Sequence, residues 1–294
     1  MSFYYRCYGL NIRAEFRIKH LQANDSNSSI DIDITCGAVR KNLFNAKKLG
    51  FGLQISDNEI LLTVCGIASY YIRNRNQIIV DHNNLSDTES VENFLINAAL
   101  PYLLWHRKIT LLHGAAFTMN GKNANLILGD FGVGKSTLLA GLCQSGAKVL
   151  SDGYIVLDKE KEISAVSGFP SIKLWQDTVE ELSIDMARLV KIRPNIQRYY
   201  WDVADYFYEK PLPIQKIFIL KREKNATKNK QLHDEKNIAS LDNFLFFHSL
   251  LSPLEAQHSK ILIELLSQCE VIFFSHMMKF PVTHDVERMV RALI

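Results

Sequence analysis

The chain has 294 residues, is 47% hydrophobic and 22% charged, and carries a formal net charge of +3. That length holds one large or two ordinary domains with a sizeable core, and the composition excludes the highly charged, weakly hydrophobic class of disordered chains. So small a net charge says little about partners, and no nucleic-acid partner is expected.

No apolar run reaches membrane-spanning length, and the opening Met1-Ser2-Phe3-Tyr4-Tyr5-Arg6 lacks the charged-then-apolar layout of a signal peptide. The five cysteines, Cys7, Cys36, Cys65, Cys143 and Cys269, are widely spaced and never in a C-x-x-C pair. They read as buried thiols in a reducing compartment, so the expectation is a cytoplasmic protein with no membrane partner.

Residues 1–85 read as short strands: Phe3 to Leu10, Ile30 to Thr35, Phe51 to Ile55, Glu59 to Cys65, Ala68 to Arg73 and Gln77 to Val80. Aromatic and β-branched residues fill them, and Asn/Asp/Ser clusters separate them. A small β-rich N-terminal domain is expected. The pattern changes near Ser86. From Ser90 to Leu100, and on to Arg107, apolar residues recur at helical spacing behind acids and hydroxyls suited to an N-terminus. The domain boundary is placed there, with 86–294 as the second domain.

Two apolar runs follow, Ile109 to Phe117 and Asn123 to Leu128, separated by the hairpin signal Asn120-Gly121. A two-residue turn would pair Met119 with Lys122 and set His113 opposite Leu128. The second run breaks into Gly129-Asp130-Phe131-Gly132-Val133-Gly134-Lys135-Ser136-Thr137 and then a helical pattern, which satisfies G-x-x-x-x-G-K-[ST] in its strand-loop-helix setting. Glycines let successive amides point at a phosphate chain, and the helix adds the positive end of its dipole. Lys135 can reach the terminal phosphates and Ser136 can ligate Mg²⁺ beside them. Ala147 to Asp152 reads as a strand ending in a carboxylate, where nucleotide enzymes hold Mg²⁺ or activate a hydroxyl. Tyr154 to Leu157 reads as another strand.

Further on, Trp175 to Leu182 reads as a short helix, Ile214 to Leu220 as a buried central strand, and Lys221 to Lys236 as a polar loop. Ile238 to Leu251 and Leu254 to Cys269 have helical spacing, Val271 to Phe274 is a strand and Asp285 to Ile294 a closing helix. The histidines His248, His258, His276 and His284 lack metal spacing. Lys173 and Arg198 are candidate cations for a transferring phosphoryl group; a surface role with a packed stem is the alternative.

Leu112-His113-Gly114-Ala115, the glycine loop and Val149-Leu150-Ser151-Asp152 together resemble the catalytic core of bacterial HPr kinase/phosphorylase, a fold related to the carboxykinases that make phosphoenolpyruvate. Tyr4-Tyr5-Arg6-Cys7-Tyr8-Gly9-Leu10, Ser171-Ile172-Lys173-Leu174-Trp175 and the stretch from Pro211 to Leu220 resemble HPr-kinase-like proteins of peptide-modification clusters, including kinases for the C-terminal serine of lasso-peptide precursors. The resemblance implies an α/β fold in which a nucleotide-binding domain with a central mixed sheet follows the β-rich one. It implies ATP and Mg²⁺ as cofactors, Lys135 as the phosphate grip and a catalytic residue, Ser136 as a metal ligand and His113 as a catalytic active-site residue near the phosphates and metal. Asp152 would be the base toward a serine hydroxyl or a second metal contact, the partner a ribosomal peptide precursor, and the protein a homo-oligomer. Two departures stand out. Asp152-Gly153 replaces two successive aspartates, and the family's glutamate-arginine-glycine signature is missing around residues 163–175, so HPr itself is not the expected substrate. An ATP-binding partner protein of weak activity and a kinase of free serine are the competing readings.

Overall fold

The computed structural model describes residues 1–50, 52–82, 87–159, 161–222, 230–232, 241, 243–246, 255–276 and 282–293. Hairpins shape the first hundred residues. β1 (Phe3–Cys7) and β2 (Leu10–Ala14) pair with Cys7 opposite Leu10, and the connection Tyr8-Gly9 has φ of 51° and 74° at its two residues. Positive φ at both central positions matches the right-handed twist of the flanking strands. Alternate residues then face inward, burying Tyr5 and Cys7 with Ile12 and Ala14. β3 (Gln22–Ala23), β4 (Ile32–Cys36), β5 (Lys47–Leu49), β6 (Leu53–Ile55), β7 (Glu59–Val64), β8 (Ala68–Arg73) and β9 (Gln77–His82) complete a nine-stranded sheet in the order β3-β1-β2-β4-β9-β8-β7-β6-β5.

The helical segment follows as α1 (Thr88–Phe94), a π turn (Leu95–Ala99) and α2 (Leu100–His106). Asp87 caps it, accepting from the Ser90 N–H at 2.6 Å. The wide turn falls just before Pro101, whose missing N–H would interrupt a regular ladder. The chain divides into two compact units, residues 1–109 with 191–198, and 110–190 with 199–294. The boundary expected at 85/86 thus falls inside the first unit. The helical segment stays with the sheet because the Tyr70 hydroxyl donates to the Val91 carbonyl at 2.7 Å and Val91, Leu95 and Ile96 are buried.

In the second unit, β10 (Thr110–Thr118) runs antiparallel to β11 (Ala124–Gly129) on one side and to β12 (Lys148–Lys159) on the other. α3 (Lys135–Gln144) lies between β11 and β12 in sequence, and β13 (Ile163–Val166) pairs with β12. β14 (Ser171–Trp175) and α4 (Gln176–Glu181) come next, and β14, β15 (Leu189–Lys191) and β16 (Arg198–Asp202) make a small separate sheet. β17 (Leu212–Arg222) pairs with β13 and, in parallel, with β11, which closes a circuit of five strands. β18 (Lys230–Leu232), α5 (Glu255–Gln268), β19 (Glu270–His276) and α6 (Thr283–Leu293) complete the unit, with β19 parallel to β17. Leu112, Leu126, Leu128, Ile155, Ile217 and α5 side chains such as Leu262 form one core. Ala115, Phe117, Ile127 and Phe218 form the other, beneath Leu138, Leu139 and Leu142 of α3 and Val286 and Met289 of α6. This is a mixed α/β protein of several sheets, and no helix among the described residues is long and apolar enough to cross a membrane.

Several expectations are corrected. Gly114, rather than His113, stands opposite Leu128. The reason is the Asn120 carboxamide oxygen, which accepts from the Lys122 and Asn123 N–H groups at 2.8 and 3.1 Å and makes the connection longer than two residues. The strand expected to end at Asp152 continues to Lys159, because Gly153 at φ 94° carries the ladder through. Within the expected loop 221–236, β17 extends to Arg222 and Lys230–Leu232 pairs with β19; residues 223–229 and 233–236 lie outside the described residues. The helix expected over 238–251 is described only at 241 and 243–246, where Leu245 bridges to Leu112 as a short extended contact; its remainder, with His248, lies outside the described residues. Cys36 and Cys65 are exposed thiols, not buried ones.

Candidate functional site

The loop leaves β11 at the carboxyl end of a strand that has parallel and antiparallel neighbours, and its glycines are positional. A Cβ at Gly129 (φ 149°) would meet Val133 Cγ1 at 2.9 Å and the Leu220 carbonyl oxygen at 3.0 Å. Gly132 (φ 75°) faces open space and Gly134 (φ 101°) sits at the N-cap of α3, where no side chain caps the helix. The first-turn amides of this ten-residue helix therefore keep their donor capacity for an anion. Lys135 is 8% exposed and folds back over the loop, donating from Nζ to the Gly129 and Asp130 carbonyls at 2.8 and 2.9 Å. Burial lowers its pKa to about 8 against the pull of Asp152 and Asp130. A nearby phosphate chain would reverse that shift, which is the electrostatic condition for gripping one.

Ser136 Oγ donates to Asp152 Oδ1 at 2.8 Å, and Asp152 Oδ2 accepts the Lys173 N–H at 3.0 Å. With its proton committed to the carboxylate, the Ser136 oxygen presents its lone pairs outward, the state a metal ligand needs. Asp152 is 4% exposed, midway along β12 opposite Ala115. Among the described residues no cluster of three His, Cys, Asp or Glu could hold a metal by itself. Mg²⁺ bound with a nucleotide takes few protein ligands and the rest from phosphate and water, so Ser136 with Asp152 fits that use.

His113 pairs with Tyr154 two positions along the same ladder from Ala115 and Asp152. Such diagonal neighbours on one face stand roughly 7–8 Å apart. Its imidazole lies parallel to the Phe131 ring at a centroid distance of 6.4 Å, and a row continues through Tyr154 (5.9 Å) to Phe246 (5.2 Å from Tyr154). The His113 N–H donates to the Phe244 carbonyl at 2.7 Å, which fixes this end of β10 where β11 has already turned into the loop. Burial, then the charges of Lys135 and Lys173, lower the His113 pKa to about 4, so the imidazole is neutral at physiological pH. Phe131, 82% exposed, is a large apolar surface on the glycine loop.

The structure therefore brings together Gly129 to Ser136, Asp152, His113 and Lys173. The Thr137 hydroxyl lies 3.0 Å from the Thr178 hydroxyl on α4. Arg198 belongs to the first unit through its 191–198 segment, whereas the loop belongs to the second. Sequence reasoning did not include Tyr154 or Phe246 in the site. Their signal lies in strand pairing between distant segments, and the residue spacing along the chain does not carry it.

No family model matches the chain, and no curated protein matches it either. Among solved structures, the Hpr(Ser) kinase/phosphatase from Coxiella burnetii is similar at 12% identity and a TM-score of 0.34, covering 62% of this chain and 95% of that one.

Proposed function

We propose that the chain is an ATP-dependent, HPr-kinase-like enzyme that transfers the γ-phosphoryl group to a hydroxyl, a serine on a peptide such as a ribosomal precursor. The observation that carries this reading is the Ser136–Asp152 hydrogen bond beside a lysine folded onto the loop carbonyls, at the point where β11 gives way to α3. Loop amides and Lys135 would bind the β- and γ-phosphates, and Ser136 and Asp152 would hold Mg²⁺, which supplies charge neutralisation when bound. Asp152 keeps a free lone pair on each oxygen beyond its two hydrogen bonds, enough to accept the proton of an attacking hydroxyl. The acceptor oxygen bonds to the γ-phosphorus as the bond to the β,γ-bridging oxygen breaks, and ADP leaves with that electron pair. His113, held neutral, adds no competing charge and can donate one hydrogen bond.

The test is incubation of the full chain with Mg-ATP and synthetic peptides ending in serine, with free serine in parallel, read by mass spectrometry. Phosphate addition to the peptide is expected. Asp152→Asn should reduce the rate by about 10²–10⁴-fold, as loss of a general base does, and Lys135→Met should abolish nucleotide binding. Equal transfer by Asp152→Asn removes that residue from the chemistry, and phosphorylation of free serine alone replaces the peptide acceptor with a small molecule.

A further inference from the structure

Gly153 and Lys173 are a matched pair. A Cβ built on Gly153 would lie 2.9 Å from Lys173 Nζ and 3.5 Å from its Cε, so the ammonium occupies the space a side chain at 153 would claim. β14 is oriented so that Ile172 and Leu174 enter the core while Lys173 lies between them on the other face. The main chain of Lys173 is itself fixed by its N–H bond to Asp152 Oδ2. The long side chain thus starts from an anchored backbone and ends over the strand that carries Asp152. The charges of Lys173 and Lys135 both act on the His113 imidazole.

We propose that Lys173 Nζ and Lys135 Nζ form a two-cation subsite for the terminal phosphate of a nucleoside triphosphate, and that the bare glycine at 153 leaves the Lys173 ammonium its place there. This deepens the kinase reading and rests on it. A carboxylate at 153 would do the opposite, pairing with the ammonium and cancelling the charge offered to the phosphate. Lys135 is held at the loop carbonyls near the base of the cradle, whereas Lys173 approaches from β14. The second cation is therefore the one that distinguishes a triphosphate from a diphosphate.

The experiment measures ATP and ADP dissociation constants for the full chain by titration calorimetry, with and without Mg²⁺. Lys173→Met is expected to weaken ATP roughly ten- to hundredfold, the worth of a charge-assisted hydrogen bond, while leaving ADP within about twofold. Lys173→Arg should recover part of the ATP preference. Gly153→Asp should lose it as well, and thermal melting of that variant separates loss of charge from strain at positive φ. An unchanged ATP-to-ADP ratio in Lys173→Met overturns the proposal, as does equal weakening of both nucleotides, which would mark Lys173 as structural. If the unsubstituted chain binds neither nucleotide, the phosphate-site reading itself fails and takes this subsite with it, a result distinct from a failure confined to the variant.

Discussion

His113 shows how a single buried side chain couples the site to pH. Its pKa stands at about 4 against an ordinary 6.5, because burial and two lysines oppose the imidazolium. Between those two values the unfolded chain binds more protons than the folded one. The stability His113 contributes is complete above pH 6.5 and is lost as the pH falls toward 4. The full effect is on the order of 3 kcal/mol. His106 and His258 are lowered by burial too, and the carboxyl of Glu92, pushed up to about 7, works in the opposite sense. These groups are unchanged in a His113→Gln variant and cancel in the comparison. Urea unfolding at about pH 7.5 and about pH 5 should show the parent losing clearly more stability on acidification than His113→Gln. Equal losses would mean that His113 is solvated enough to protonate freely.

At the scale of elements, the contact between α3 and α6 turns on one missing side chain. A Cβ on Gly141 would lie 2.7 Å from Val286 Cγ2 and 3.4 Å from Val282 Cγ1. Alanine gains about 1 kcal/mol in helix propensity, but overpacking a filled core costs about 1–3 kcal/mol, and a valine in a helix has essentially one rotamer to offer. Gly141→Ala is expected to lower the melting temperature, and Gly141→Ala with Val286→Ala to be more stable than the sum of the single changes. Additive effects would show that the helices separate without strain. The same scale explains what could be read along the chain. The glycine loop between β11 and α3 was legible because all its parts fall within nine consecutive residues, Gly129 to Thr137, with the strand and helix on either side. β17 was legible as a buried run because parallel neighbours cover both its edges. The β10–β11 register was not, since it hung on whether the Asn120 side chain would fold back onto the next two amides. The approach of Lys173 to Gly153 was not legible either. It depends on β14 lying against β12, and nothing in the spacing of residues 153 and 173 records that contact.

At the scale of the whole molecule, the second unit is interrupted by a segment that belongs to the first. Residues 191–198 leave the second unit, join residues 1–109 and return. In that excursion Ile192 is 3% exposed, its N–H donates to the Arg198 carbonyl at 3.0 Å, and the Arg193 guanidinium lies 5.4 Å from the centroid of the Phe94 ring. A chain beginning at Thr110 would keep the loop, Asp152 and Lys173 but strip this segment of its companions, exposing Ile192 and the Arg193 stem to water. Burial of one large aliphatic side chain and one cation–π contact together amount to about 2–4 kcal/mol, a sizeable part of the stability of an ordinary domain. The shortened protein is expected to melt several degrees lower than the full chain and to be cleaved first within 191–198 under limited proteolysis. Replacing the segment in that background by a short Gly/Ser linker should restore part of the melting temperature. If the shortened chain melts as high as the full protein, residues 191–198 are a passive connection and the two units are energetically independent.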